Sequence, residues 1–310
     1  MKWRTLVTRG WIVVLILVVS SWAGAQLTGL RIVMAPEGET DLHDPGNPDD
    51  YDFWDDFSDV RIRQPGPNGD PPLPWGTHIL NERWQVGSWT EHDGRLSTDR
   101  VRQVEIDGRP VLRMEWEFDT EYFFENDRHL FKSSAINTLA TDFGYGRWET
   151  RLKLPAEPGV LGSFFTIDWR DGGNSTRQEI DIEFLTASFD REGGTGEVEF
   201  AAHARSLPSK AMVIPLGFDP SEQFHVYAFD ITEDRIEWLI NGEPIWQYVY
   251  ADNAITFDAP YTIKLNLWSA HGSYHNRNTA YWIQGGNTFR APENTPLHYY
   301  VDWVRYTRYD

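Results

Sequence analysis

The run Gln178-Glu-Ile-Asp-Ile-Glu-Phe184 constrains this chain more than any other segment. From Glu179 onward, carboxylates alternate strictly with large apolar residues. Successive side chains on an extended strand point to opposite faces. A period of two therefore predicts a strand with Glu179, Asp181 and Glu183 on one face and Ile180, Ile182 and Phe184 on the other. Three like charges on one face of a sheet repel one another and destabilise it. A chain gains from that arrangement where chemistry needs paired carboxyls, one ionised and one with its pKa raised so that it keeps its proton.

The same period recurs from about residue 52 onward. In Val111-Leu-Arg-Met-Glu-Trp-Glu-Phe118, four large apolar residues alternate with polar ones, and Asp107-Gly108 marks the hairpin leading in. Ile236–Ile240, then Asn241-Gly242, then Glu243–Trp246 predicts a hairpin, because Asn-Gly suits the positive φ of a two-residue loop. Further strands are expected over 146–154, 162–167, 179–184, 197–203, 225–231, 261–268 and 299–306. No stretch carries a long helical period with caps, and there is no internal repeat. Many short strands with turn signals between them argue an all-β sandwich. Gln64 to Gly76, rich in Pro and Gly, reads as a long loop within it.

The N-terminus reads as a secretory signal. Met1 to Gly10 is basic, Trp11 to Val19 is apolar, and Ala23-Gly-Ala25 is a small-x-small cleavage site, so residues 1–25 are expected to be removed. The apolar core is short for a membrane span, which needs about 20 residues. Residues 26–51, acidic and rich in Pro and Gly, read as a solvated linker, and residues 52–310 as the folded domain. The net charge of −19 repels phosphate backbones and anionic lipid, so nucleic acid and membrane are not expected partners, whereas a neutral polymer or calcium is compatible. There is no Cys, so the core must hold the fold without disulfides. The 15 Trp can fill that core or line a groove that stacks on sugar rings.

A retaining glycosidase needs two carboxyl groups ~5–5.5 Å apart across the bond it breaks. Residues four apart on a flat strand are ~13 Å apart at Cα, so Glu179 and Glu183 can cooperate only over a concave sheet. Glu179 is then the expected nucleophile and Glu183 the acid/base, with Asp181 between them able to hydrogen-bond one and set its charge. Repulsion among the three should lift at least one pKa. Read from the pattern alone, an ordinary acidic strand and a carboxylate cluster for calcium remain open.

Glu179-Ile-Asp-Ile-Glu-Phe184 resembles the signature of glycoside hydrolase family 16 in its regular-strand form. Phe143-Gly-Tyr-Gly-Arg-Trp-Glu149, Ser163-Phe-Phe-Thr166, Leu216-Gly-Phe-Asp219, Phe224–Asp230, Leu265-Asn-Leu-Trp268 and Asp302-Trp-Val-Arg-Tyr306 follow in the order seen in bacterial licheninases of that family. The resemblance covers about residues 52–310. It implies a β-jelly roll with a concave substrate-binding face, a retaining mechanism, and a β-linked glucan as substrate. Mixed-linkage β-1,3-1,4-glucan is the first expectation. A β-1,3-glucan, a marine galactan, transglycosylation on the same site, and a non-catalytic carbohydrate-binding jelly roll are the alternatives. It gives Glu179 and Glu183 the same roles, matches Asn266, Trp268 and Phe165 to cleft residues, and matches Asp302 to an acid that binds a structural calcium in many members. No cofactor is expected for catalysis, and a monomer is expected.

The departures fall around the carboxylate strand. Arg177 stands where the family has an aromatic, and Ile167 where it has Tyr, with Trp169 nearby as a substitute. Ala201 and His203 replace an Asn and a Tyr. Arg177, His203 and Trp169 are therefore further candidates for substrate contact, and the sugar specificity is the property these changes affect. Nine His show no metal-ligand spacing.

Overall fold

The computed structural model describes residues 44–66, 78–87, 90–91, 94–118, 131–157, 160–168, 177–189, 196–204, 209–253, 255–258, 260–268 and 295–310. The expected signal segment, most of the expected linker, residues 67–76 of the expected loop and Trp169 lie outside the described residues. The strands are β1 (Phe53–Asp55), β2 (His78–Ile79), β3 (Trp84–Val86), β4 (Thr90–Glu91), β5 (Gly94–Leu96), β6 (Val101–Ile106), β7 (Arg109–Phe118), β8 (Phe131–Thr138), β9 (Gly146–Lys153), β10 (Leu161–Asp168), β11 (Gln178–Leu185), β12 (Glu197–Ala204), β13 (Lys210–Pro215), β14 (His225–Ile231), β15 (Arg235–Ile240), β16 (Glu243–Val249), β17 (Thr262–Trp268) and β18 (Leu297–Arg308). Every strand expected from the alternation is present, and the helices among the described residues are single 3-10 turns.

Two antiparallel layers result. The inner sheet runs β13-β12-β11-β10-β17-β8-β3-β2, which places the carboxylate strand β11 between β10 and β12. The outer sheet runs β6-β7-β18-β9-β14-β15-β16, with β1 added along β18. A short β7–β8 pairing joins the layers. Asn241 and Gly242 adopt φ of 50° and 81°, and Asp107 and Gly108 φ of 52° and 75°, the left-handed backbone that both hairpin signals require.

The apolar rows meet between the layers. Phe184 of β11 packs edge-on to Tyr227 of β14 at 4.6 Å, Phe164 of β10 lies 5.4 Å from Phe229, and Phe200 of β12 stacks on Trp238 of β15 at 5.9 Å. Trp84, Trp116, Trp148 and Trp238 are fully buried there, so these indoles serve the core and not a sugar-stacking groove. Each such side chain stabilises the fold by several kcal/mol at ~25 cal/mol per Å² of apolar surface buried.

The short strands β1–β5 were not expected, nor were two longer ones that lack the alternation. β8 (Phe-Lys-Ser-Ser-Ala-Ile-Asn-Thr) is buried along nearly its whole length, with polar residues accommodated inside; Ser134 Oγ donates to the Glu115 carbonyl at 3.1 Å. β13 is an edge strand, and its Met212 and Val213 are exposed. The end of the acidic segment expected as linker is laid against the fold. Trp54 Nε1 donates to the Pro45 carbonyl at 3.1 Å, and Arg305 of β18 hydrogen-bonds the Tyr51 hydroxyl at 2.8 Å and lies over its ring.

Candidate active site

β11 turns its carboxylates to the open face of the inner sheet because Ile180, Ile182 and Phe184 are drawn into the core. The antiparallel register then sets three rows across the strands. In the first row His203 (β12), Glu179 (β11), Ile167 (β10) and Thr262 (β17) stand side by side. The second holds Ala201, Asp181, Phe165 and Lys264, and the third Glu199, Glu183, Ser163 and Asn266.

Each of the first two carboxylates has a cation. Arg177 donates through Nε to Glu179 Oε2 at 2.8 Å, and its Nη2 reaches the same oxygen. His203 Nε2 lies 3.0 Å from Asp181 Oδ2, and its Nδ1 lies 2.5 Å from Ser209 Oγ. Burial works against the imidazolium, but the hydrogen bond and charge of Asp181 outweigh it and push His203 up to about 9. The ring is thus protonated at neutral pH, and both nitrogens donate. Arg177 and His203, expected to contact substrate, are in this structure the counterions of Glu179 and Asp181.

Glu183 has no ion-pair partner among the described residues. Burial, then the charges of Asp181, Glu199 and Glu179, hold its carboxyl well above the usual range. Glu179 rises to about 7 for the same first two reasons, burial and Asp181, while Arg177 and His203 pull it back. The two outer carboxyls therefore differ in the direction a double-displacement site requires: one is paired with a guanidinium, and the other is surrounded by acids.

The neighbouring strands place polar and aromatic groups on the same face. Asn266 accepts a hydrogen bond from Ser163 Oγ at its Oδ1, which leaves its Nδ2 to donate to a hydroxyl. Trp268, half-buried, packs on Leu161 and Leu185 at one end of the same face. Phe165 is half-buried in the middle row, with Lys264 Nζ 6.0 Å from its ring centroid. The Tyr expected at Ile167 is replaced by a buried aliphatic.

Glu199 was missed in the sequence. It lies on a run, Glu197-Val-Glu-Phe, that looks like any half-buried strand. What makes it part of the site is its register opposite Glu183, and that depends on a connection whose geometry the sequence does not specify.

Asp302 is remote from these rows. It sits at a bulge of β18, buried, with Arg151 Nη1 2.5 Å from its Oδ2. A guanidinium thus already lies against this carboxylate. Among the described residues no three His, Cys, Asp or Glu are gathered to hold a metal.

Residues 88–304 match the family described as glycosyl hydrolases family 16. A β-glucanase of Brevibacillus brevis is 31% identical over 259 residues, covering 80% of this chain and 88% of that protein. A β-glucanase of Bacillus subtilis is 30% identical over 172 residues, covering 56% of this chain and 62% of its own length. Among solved structures, a Bacillus licheniformis β-glucanase superposes with a TM-score of 0.60 at 21% identity, covering 83% of this chain and 98% of that one. The laminarinase catalytic domain of Thermotoga maritima superposes with a TM-score of 0.59 at 20% identity, covering 84% and 98%. These folds are the jelly roll that the alternation and the resemblance lead one to expect. With its three-acid strand seated on the open face of that fold, the chain belongs to glycosyl hydrolase family 16, whose members are glycoside hydrolases that need no cofactor for catalysis.

Proposed function

We propose that the protein is an exported, endo-acting, retaining β-glucanase in which Glu179 is the nucleophile and Glu183 the general acid/base. The observation that carries this reading is the asymmetry of the acidic face: Glu179 is paired with Arg177 at 2.8 Å, and Glu183 is flanked by Asp181 and Glu199 with no cation among the described residues. In the first step the Glu183 carboxyl gives its proton to the glycosidic oxygen. The Glu179 carboxylate attacks C1, the C1–O bond breaks, and a glycosyl ester forms. In the second step the Glu183 carboxylate takes a proton from water as the water oxygen attacks C1 and the ester bond breaks, which returns both groups to their starting states. Asp181, held by His203, lies between them and opposes early loss of the Glu183 proton. Asn266 and Trp268 bind the sugar, one by its amide and the other by its ring face.

Mixed-linkage β-1,3-1,4-glucan is the proposed substrate, on the strength of the β-glucanase relatives and of Asn266 and Trp268 on the face. Arg177 and His203 are committed to carboxylates where aromatic residues were expected, which favours trying β-1,3-glucan beside it. The basic and apolar N-terminus with Ala23-Gly-Ala25 supports export.

Glu179→Ala should abolish turnover, and added azide should restore part of it as an α-glycosyl azide. Near-wild-type hydrolysis by this variant, or an α anomer as the first product seen by NMR, would overturn the assignment. Release of reducing ends from lichenan, laminarin and agarose identifies the polymer.

A further inference from the structure

We propose that Glu199 is a positioning residue for this reaction: it stands beside Glu183 as a second acid, with no counterion among the described residues, and keeps the proton on Glu183 until the glycosidic oxygen takes it. The inference rests on Glu183 being the acid/base.

The register pairs Glu183 of β11 with Glu199 of β12. Directly opposed side chains on adjacent strands have Cβ atoms roughly 4.5–5.5 Å apart. Both carboxyls point to the open face and both are half-buried. The other two carboxylates of β11 each have a cation beside them. Glu179 has Arg177 and Asp181 has His203, yet among the described residues the Glu183–Glu199 row contains no cation.

The groups around the pair leave it so. β10 offers Ser163, whose hydroxyl is spent on Asn266 of β17. Lys264 of β17 stands in the next row, over Phe165. β13 offers Val213, while Lys210 pairs with Ala202 on the opposite face. On β11 the neighbours are Asp181 and Glu179, and on β12 they are Glu197 and His203, whose ring is turned to Asp181 and Ser209. Two carboxyls this close without a cation resist double ionisation, so the pair retains a proton that either alone would lose sooner. Burial lifts Glu199 itself to about 7, with His203 pulling down and Asp181 adding to the rise.

The test is the pH dependence of kcat/KM for wild type, Glu199→Gln and Glu199→Asp. It uses the glucan that wild type cleaves fastest and the 2,4-dinitrophenyl β-glycoside of the matching disaccharide. Dinitrophenolate leaves without protonation, so only the glucan reports the acid. On the glucan, Glu199→Gln should move the alkaline limb down by about one pH unit, with Glu199→Asp restoring most of the shift. On the aryl glycoside neither variant should move that limb. An unmoved limb on the glucan, or a loss by the same factor at every pH as a merely structural role would give, overturns the proposal for Glu199 alone. A wild-type alkaline limb identical on both substrates would overturn the acid role of Glu183 and the proposal with it.

Discussion

The indole Nε1 of Trp238 donates a hydrogen bond of 3.0 Å to the main-chain carbonyl of Asp181, across the interface between the two sheets. Trp238 is fully buried on β15 and clasped between Phe200 and Trp246, at 5.9 and 4.7 Å. The outer sheet thereby fixes the middle of the carboxylate strand from behind. Trp238→Phe keeps an aromatic ring but leaves the carbonyl without this donor, at a cost of about 1–3 kcal/mol. The expected outcome is a lower urea midpoint and a kcat reduced by up to about tenfold, equivalent to ~1.4 kcal/mol, with KM little changed. A variant as stable as wild type would show that the bond contributes nothing.

Arg177 is the largest charge opposing the rise of Glu179. As the proposed nucleophile, Glu179 must be ionised to attack, so activity should be lost as pH falls through its pKa, about 7. Arg177→Gln removes the opposing charge and raises that pKa further. The acidic limb of kcat/KM should move to higher pH, so that activity near neutrality falls more than activity in mildly alkaline buffer. A pH-rate profile checks this, and a limb that stays in place would argue that Arg177 serves the substrate instead.

How much of this was legible in the sequence follows from where the information resides. Glu179, Asp181 and Glu183 are near neighbours on one strand, and a period of two alone puts them on one face. The Asn241-Gly242 and Asp107-Gly108 turns were legible because few other residues accept positive φ. β8 was not, since a strand buried on both faces need not alternate, and Ser133, Ser134 and Asn137 disguise it as a loop. The partners of the site were hidden for a different reason. Arg177 was read as a substrate contact because nothing local says that its side chain folds back two residues onto Glu179. His203 and Glu199 join the site through strand register, which is set by the packing of whole sheets. Asp302 was matched to calcium by its place in the family pattern, and only the fold brings it against Arg151, 151 residues away.

The acidic face has a consequence for stability. The Glu183 carboxyl is raised in the folded state above its ordinary 4.5. Its contribution is therefore fully present below about pH 4.5 and is lost as pH rises through the raised value. Glu183→Gln cannot ionise and escapes that loss. The variant, inactive on polysaccharide, should melt at nearly the wild-type temperature in acid and at a higher temperature in alkaline buffer. His203 contributes with the same sign in both proteins and cancels from the difference. Melting curves at several pH values decide it; a gap that does not widen with pH would mean that Glu183 is not held protonated.

Arg151 and Asp302 form a buried pair, with both side chains nearly inaccessible and the guanidinium also lying 4.6 Å from the Phe224 ring centroid. Removing one partner strands the other charge in the interior, which costs about 3–5 kcal/mol. Replacing both with apolar residues of similar volume is often neutral, because the pair's mutual attraction does little more than offset the desolvation of its members. Asp302→Asn should therefore lower the urea midpoint sharply, and the double variant Arg151→Met, Asp302→Leu should recover most of the loss. The pair is far from the rows that hold Glu179 and Glu183, so kcat per folded molecule should stay at the wild-type value in both. If Asp302 instead held a calcium ion, the double variant would lose as much stability as the single one, and a chelator would lower the wild-type midpoint to match.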